Sequence, residues 1–412
     1  MEFFMSDDNK FVKGLITGVL VALASAAILI FFMRDYLFNG NQNNRVNTSQ
    51  TRSDERKYEV FKGKLDNILW VLEKDFYEDI DPEVLYEGAL DGMMAALDDP
   101  YSCYYTAAEA QQVFQATDGS YVGIGCYVGQ TKDTNEIMVV AVMEDSPAEK
   151  AGLKPEDIIM AVDGRDITDS GLEYAMSLVK GAEGTSVVLT VKRGDETLDI
   201  SMTRAKIEQK TVSYRMLEDG IGYIYVSAFY KNTTAETRAA IEDLEKQGMT
   251  KLIVDLRENP GGLFDTAVEM LDIFLEKGLL VAYTDSKDGT EVKSYTKKDD
   301  KFDKPLVIMI NGNSASASEL FTQTMRDYER ATVLGTTSYG KGVYQTLWPI
   351  GEDNSFIKYT GGRYYSPKGV CIHGVGIEPD IVVELDEGLE KESVLKRTKD
   401  NQLDAAIEYL KK

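Results

Sequence analysis

From Ile221 onward the sequence alternates short apolar strands with amphipathic helices. Strands are predicted over 221–226, 252–256 and 306–310, and helices over 234–247, 264–275 and 314–330. Helices that alternate with buried strands are typical of βαβ units, in which the strands pair in parallel. The pattern predicts an α/β core over 206–385 with parallel βα units, followed by a C-terminal helical segment over 386–412.

The segment before the core is predicted to be helical over 56–112. Apolar residues recur with i, i+3, i+4 spacing between Tyr58 and Phe76, which indicates an amphipathic helix. A second helix is expected over 82–97, with Asp81 as N-cap and Pro82 in the first turn.

The sequence pattern of residues 113–205 predicts short strands joined by turns. Strands are expected over 123–128, 137–142, 157–162, 187–192 and 197–203, with a short capped helix over 146–152 and a second helix over 172–179. The Gly123-Ile124-Gly125 turn, together with the segments SPAEKAGL (146–153) and DIIMAVDG (157–164), resembles a PDZ domain. A glycine-rich turn before a strand leaves N–H groups that can hold a peptide's terminal carboxylate. The alternative is that Gly123 and Gly125 only permit a tight turn.

A run of twenty uncharged residues covers 14–33. Twenty helical residues span about 30 Å, the thickness of a bilayer core. We expect a transmembrane anchor here, preceded by a short cytoplasmic N-terminus (1–13) and followed by a polar linker (34–55). A cleaved signal peptide is the alternative. Either arrangement places the soluble part outside the cytoplasmic membrane.

Composition excludes several classes of function. The net charge of −24 disfavours nucleic-acid binding. Cys103, Cys126 and Cys371 are scattered without metal-ligand spacing, so we expect neither a disulfide framework nor a metal site, and nothing indicates a cofactor. Only one histidine, His373, could serve a Ser-His-Asp site.

A serine-rich junction follows the predicted strand 306–310. Small residues from Ser314 to Ser318 leave open space at a helix N-terminus, where unpaired N–H groups could stabilise an oxyanion at a nucleophile. The alternative is a simple capping box, because Ser316 and Glu319 fit the S-x-x-E pattern.

Two further stretches favour catalysis. Gly261 and Gly262 end another strand of the predicted parallel sheet, where ligands bind in open α/β folds. Lys341 lies between two glycines, with Gln345 four residues later. If Lys341 starts a strand, Gln345 faces the same side and can orient it.

Together with the DPYS (99–102) and GVGIEPD (374–380) segments, these stretches resemble the C-terminal processing peptidases of family S41 over about residues 58–385. The resemblance implies a ClpP/crotonase-like protease core with an inserted PDZ domain, and a Ser-Lys site. Ser316 would be the nucleophile, Lys341 the general base and Gln345 its orienting residue. The N–H groups of Ala317 and of Gly262 (or Gly261) would form the oxyanion hole.

With the anchor expected over 14–33, the main hypothesis is a membrane-anchored extracytoplasmic endopeptidase that binds C-terminal tails of protein substrates through its PDZ domain. The resemblance also implies a homodimer. His373 has no catalytic role in that pattern. A catalytically silent PDZ-containing binding protein and a His373-dependent hydrolase are the competing hypotheses.

Overall fold

The computed structural model describes residues 48–110, 113, 119–131, 136–168, 170–298, 302–389, 393–397 and 399–412. It divides into two compact units, Met1–Gly88 and Ala89–Lys412. The span expected over 14–33 lies outside the described residues. Within those residues, no helix combines the length and apolar character needed to cross a membrane.

Two helices open the described chain. Helix α1 spans Thr48–Asp75 and α2 spans Pro82–Ala95. The predicted cap of α2 is confirmed, because Asp81 Oδ1 accepts the Glu83 N–H at 3.0 Å. Strand β1 (Cys103–Tyr105) follows.

An antiparallel sheet with its own apolar core forms the middle of the chain. Its elements are β2 (Ser120–Gly123), β3 (Cys126–Gln130), β4 (Ile137–Val142), α3 (Pro147–Lys150), β5 (Ile158–Val162), β6 (Arg165–Asp166), α4 (Leu172–Val179), β7 (Ser186–Arg193), β8 (Glu196–Thr203) and β9 (Ala205–Glu208). The main sheet runs β3-β4-β5-β7-β8, so β3 is an edge strand, while β2 and β9 pair with each other. Ile124, Val139 and Leu189 belong to the buried core.

The remaining elements form the α/β core. They are β10 (Val212–Met216), β11 (Ile221–Val226), α5 (Thr233–Lys246), β12 (Lys251–Asp255), α6 (Phe264–Leu271), β13 (Leu280–Thr284), β14 (Val292–Tyr295), β15 (Leu306–Ile310), α7 (Ala317–Asp327), β16 (Thr332–Gly335), β17 (Val343–Pro349), β18 (Phe356–Tyr365), β19 (Ile381–Val382) and α8 (Asn401–Lys411).

The core sheet has the order β10-β11-β12-β15-β16-β19, and only its β10–β11 pair is antiparallel. The predicted parallel α/β core is therefore confirmed. Alternate strand residues face opposite layers: Ile224 and Ile308 pack towards α5, α6 and α7, whereas Tyr223 and Val307 pack towards α8. Burial on both faces explains why these strands are apolar throughout.

A second antiparallel sheet lies beside the core sheet. It runs β1-β18-β13-β14, with β17 added on β18. The hairpin of β17 and β18 comes directly after Lys341 in the chain. Strand β1, which comes directly after residues 99–102, pairs with β18 of the same sheet.

One helix begins later than predicted. Helix α7 starts at Ala317 rather than 314, because side chains of the junction form a loop instead of a helical turn. Ser314 Oγ donates to Leu256 O at 2.8 Å and accepts the Asn311 N–H at 2.9 Å. Such side-chain bonds to the backbone compete with helix formation. The junction therefore presents Ser316 at the start of the helix.

Candidate functional site

Ser316 has a backbone conformation that is unusual for a serine. It is the N-cap of α7 with φ 56° and ψ −113°. Non-glycine residues in such regions cost about 1–3 kcal/mol and concentrate at functional sites. The loop that holds it is fixed to the segment after β12, since the Ala315 N–H and Ser318 Oγ both donate to Asn259 O, at 3.0 and 2.9 Å.

Glu319 joins the Ser316 and Lys341 segments. Its carboxylate is 1% exposed. Oxygen Oε2 accepts the N–H groups of Ser316 and Lys341 at 2.8 Å each. Oxygen Oε1 accepts from Ser338 Oγ and from the Gly340 N–H. The sequence indicates Glu319 only as half of a capping box. Its carboxylate also holds the lysine loop, the segment from Ser338 to Lys341.

Tyr364 on β18 makes a second bridge between the same two residues. Its hydroxyl lies 2.8 Å from Lys341 O and 3.2 Å from Ser316 O. Burial, with a smaller effect from Glu319, raises the pKa of Tyr364 well above its usual value, so the phenol stays protonated and can donate. The backbones of Ser316 and Lys341 are therefore held together on two sides.

The Lys341 side chain is half-buried. Burial lowers its pKa from 10.5, the charge of Lys358 lowers it further, and Asp99 and Glu319 oppose the shift. Its Nζ lies 4.6 Å from the centroid of the Tyr101 ring. In the part of the chain that the structure describes, Nζ forms no hydrogen bond or ion pair. A lowered pKa is what a lysine needs to act as a base near neutral pH.

Gln345 lies on β17, opposite Thr360 of β18. The expectation that Lys341 starts this strand is wrong, because β17 begins at Val343. A bulge between Tyr344 and Gln345 also interrupts the alternation of side chains. Gln345 Nε2 is buried and has no hydrogen-bond partner among the described residues. The amide donor is thus available to a group that enters the site.

Gly261 and Gly262 pack directly against the serine loop. A Cβ on Gly261 would lie 2.8 Å from Ala317 N and 3.0 Å from Ser316 Cβ. The Gly261 N–H donates to Asn259 Oδ1 at 2.8 Å. The N–H groups of Gly262 and Ala317 donate to no described residue. Of the two glycines, Gly262 therefore has the free donor for an oxyanion.

His373 lies close to the lysine segment. Its backbone N would be 2.6 Å from a Cβ placed on Gly342, and its ring is 6.5 Å from that of Tyr101. Its Nδ1 is buried without a partner in the described chain. No hydrogen bond joins His373 to Ser316 among the described residues.

Two features of the site were not predicted from local sequence patterns. Tyr101, noted only as part of the DPYS segment, contacts Lys341. Arg257 is fully buried after β12 and forms ion pairs with Asp255 at 2.6 Å and Asp400 at 2.8 Å. The C-terminal helix α8 begins next to Asp400 and is thereby tied to the loop that carries Gly261 and Gly262.

The turn of the PDZ-like sheet, from Gly123 to Gly125, packs closely against the segment around Ser146. Ile124 is 3% exposed, and its carbonyl accepts the Ala148 N–H at 2.8 Å. Gly125 has φ +78°, and a Cβ there would lie 2.3 Å from Ser146 Cβ. The N–H groups of Ile124 and Gly125 donate to no described residue. Gly123 ends β2, beside this turn.

Comparisons with known proteins agree with this architecture. Family models match for Peptidase family S41 over residues 220–383, a PDZ domain over 138–193, and the Activating protease CtpB N-terminal domain over 22–109.

Relatives and a solved structure extend the match. A "Probable CtpA-like serine protease" of Staphylococcus aureus is 35% identical over 377 residues, covering 91% of this chain and 72% of that protein. A protein of the same description from Staphylococcus haemolyticus is 41% identical over 319 residues, covering 77% of this chain and 64% of that protein. A solved S41 protease candidate from Bacteroides fragilis shares the fold, with a TM-score of 0.50, 17% identity and coverage of 83% and 94%. The chain therefore belongs to peptidase family S41, as a CtpA-like serine protease with a PDZ domain.

Proposed function

We propose that this chain is an endopeptidase in which Ser316 is the nucleophile and Lys341 the general base. The observation that carries the proposal is the shared carboxylate oxygen of Glu319, which accepts the backbone N–H groups of both residues. The lowered pKa of Lys341, caused chiefly by burial, supports its use as a base. The strained backbone of Ser316 supports its use as a nucleophile.

The proposed reaction uses these two residues in turn. Neutral Lys341 Nζ takes the proton from Ser316 Oγ while that oxygen bonds to the carbonyl carbon of the scissile peptide. The negative charge on the carbonyl oxygen is stabilised by the N–H groups of Ala317 and Gly262. The tetrahedral intermediate then collapses, and the leaving amine takes the proton from Lys341. Lys341 next deprotonates a water molecule, which attacks the acyl-enzyme and releases Ser316 with its proton restored.

Gln345 orients the lysine in this proposal. Its carboxamide oxygen is the atom that can accept a hydrogen bond from Lys341 Nζ. The Nε2 donor is buried and unpartnered within the described residues, so it is left to interact with substrate when the site is occupied. A neutral amide suits this role, because a carboxylate would hold the lysine in its protonated form.

Substrate selection belongs to the PDZ domain. Strand β3 is at a sheet edge, where an extended peptide can add as a further strand. The free N–H groups of Ile124 and Gly125 lie at the start of that edge and suit a terminal carboxylate. We infer that exposed C-terminal tails of proteins bind here and that cleavage occurs nearby.

Location and assembly complete the proposal. The uncharged run over 14–33 would anchor the chain in the cell membrane as a single span, with the protease outside the cytoplasm. A homodimer is supported by the apolar residues that α1 exposes, among them Tyr58, Ile68 and Trp70.

Two variants and a probe test the catalytic proposal. Ser316→Ala and Lys341→Ala should abolish cleavage of a disordered substrate such as β-casein, while both variants keep a cooperative thermal unfolding transition. A fluorophosphonate should label the wild-type chain and fail to label Ser316→Ala. Full activity in either variant would refute the mechanism. A wild-type chain that binds tails but neither cleaves nor labels would instead be a silent binding protein.

A further inference from the structure

The position of Tyr101 is fixed by its own turn and by the sheet that follows. The Tyr101 N–H donates to Asp99 Oδ1 at 3.1 Å, and Ser102 Oγ donates to Asp99 Oδ2. The Thr360 N–H of β18 donates to Ser102 Oγ at 3.1 Å. The next residues form β1, which pairs with β18. The ring is therefore attached to the same hairpin that carries Gln345.

The face of this ring is turned to the general base. Lys341 Nζ lies 4.6 Å from the ring centroid, within the distance of a cation–π contact. Such a contact stabilises the ammonium ion and gives nothing comparable to the neutral amine. It is also the only polar or ionic contact of Nζ that the described residues provide. The ring contact thus favours the protonated lysine over the neutral amine, and a protonated lysine cannot accept a proton from Ser316.

Several charged or titratable groups surround this pair. Lys358 faces Lys341 from β18, Asp99 from the turn and Glu319 from α7. Tyr339 and His373 also lie next to Tyr101. Burial and Lys358 favour the neutral amine, whereas Asp99 and Glu319 favour the ammonium ion. The face of the Tyr101 ring also favours the ammonium ion.

We propose that Tyr101 is a positioning residue for the general base, whose ring holds Lys341 as an ammonium ion in the resting enzyme and so sets the pH above which Ser316 becomes reactive. This rests on the proposed Ser316–Lys341 mechanism. Productive binding of substrate then requires Lys341 Nζ to leave the ring face and lose its proton.

Tyr101→Leu and Tyr101→Phe separate this role from simple packing. Leucine keeps an apolar wall and removes the π face, whereas phenylalanine keeps the face and removes only the hydroxyl. We measure the pH dependence of kcat/KM on β-casein and of the rate of fluorophosphonate labelling in the full chain. In Tyr101→Leu the acidic limb should move to lower pH by about 0.5 to 1.5 units, the size of one cation–π contact. In Tyr101→Phe it should stay within about 0.3 units of wild type.

A readout without catalysis makes the result independent of the proposed function. In the Ser316→Ala background, the pKa of Lys341 is followed by NMR of lysine labelled with ¹³C at Cε, the resonance being assigned by its loss in Lys341→Arg. Tyr101→Leu should again lower this pKa relative to Tyr101→Phe. An unchanged or higher pKa overturns the inference. If Tyr101→Leu does not fold, Tyr101→Met takes its place.

The two proposals fail in different ways. Labelling that survives in Ser316→Ala refutes the catalytic proposal while leaving the NMR comparison of the Tyr101 variants valid. Equal pH profiles for all Tyr101 variants, with labelling still dependent on Ser316, refute the role of Tyr101 alone.

Discussion

Ser316 and Lys341 donate their backbone N–H groups to one oxygen, Oε2 of Glu319, each over 2.8 Å. The other oxygen of that carboxylate holds Ser338 and Gly340 on the lysine loop. Glu319 therefore fixes the separation of the proposed nucleophile and the proposed base through their backbones. The spacing of the site depends on a residue that the sequence alone presents as a helix cap.

Glu319→Gln is expected to impair catalysis more than binding. A carboxamide has one acceptor oxygen and brings an NH₂ group, so it cannot accept the four hydrogen bonds that the carboxylate accepts, and buried donors are left unpaired. Each unpaired group costs about 1–3 kcal/mol. A displacement of the serine relative to the lysine should lower kcat about 100-fold, with a small change in KM. Steady-state kinetics and urea unfolding measure the two effects.

The exposed Glu242 on α5 supplies the matched control for this substitution. Glu242→Gln should leave kcat and the free energy of unfolding unchanged. Wild-type kcat in Glu319→Gln would show that the shared oxygen does not set the geometry of the site.

Lys358→Gln should move the acidic limb of the pH–rate profile to higher pH. Lys341 must be neutral to accept a proton, and the charge of Lys358 is one of the causes that lower the pKa of Lys341. Removing that charge raises the pKa, so more of the base stays protonated at a given pH. Lys358→Arg keeps the charge and should keep the wild-type midpoint. A shift in the same direction and of the same size in both variants would contradict this explanation.

Lys341→Met should be inactive and yet more stable than wild type at neutral pH. The pKa of Lys341 is lower in the folded chain than the usual 10.5. Between these two values the unfolded chain binds more protons, so the free energy of unfolding rises with pH across that window, and at lower pH the buried charge is a cost. Methionine removes this dependence. Urea unfolding of the wild type and of Lys341→Met at several pH values measures this dependence. If the free energy of unfolding changes with pH in the same way in both chains, the charge of Lys341 is not the cause.

The sequence predicted the parts of the fold that depend on local pattern. Strands such as Leu306–Ile310 are recognisable because both of their faces are buried. The junction around Ser316 was identifiable from its small residues at a strand-to-helix boundary. Gln345 was harder, because the bulge beside it changes which way side chains point and leaves no local signal. The contact of Tyr101 with Lys341 joins segments far apart in the chain, which no periodicity encodes.

Asp400→Asn should destabilise the protein by about 3 kcal/mol, because removing one partner of a buried ion pair leaves the other uncompensated. Asp400 accepts from Arg257 Nη1 at 2.9 Å and Nη2 at 2.8 Å. Burial alone would raise the pKa of Asp400, but Arg257 holds that pKa below its usual value. The stabilisation that the ion pair provides is therefore lost as pH falls through the lowered pKa. Asparagine keeps the oxygen that caps α8, but it removes the charge and places an NH₂ group where Oδ2 accepts from Arg257 Nη2.

Urea unfolding of Asp400→Asn is compared with that of Asp404→Asn, an exposed position on the same helix. The control should match wild type within about 0.5 kcal/mol. Equal stability of both variants would mean that Arg257 is sufficiently paired by Asp255 alone.

Gly262→Ala should abolish most of the activity by displacing the oxyanion donor. Gly262 has φ +147°, a conformation essentially restricted to glycine. A Cβ there would lie 2.3 Å from the backbone oxygen of Phe229, which also accepts the Leu263 N–H at 2.8 Å. The backbone must shift to relieve this clash, and loss of one oxyanion donor typically costs about 100- to 1,000-fold in kcat. Gly312→Ala is the control, since its Cβ would meet no atom closer than 3.9 Å. Kinetics and thermal unfolding of both variants decide the matter: wild-type kcat in Gly262→Ala would remove this N–H from the oxyanion hole and leave Ala317 as its remaining proposed donor.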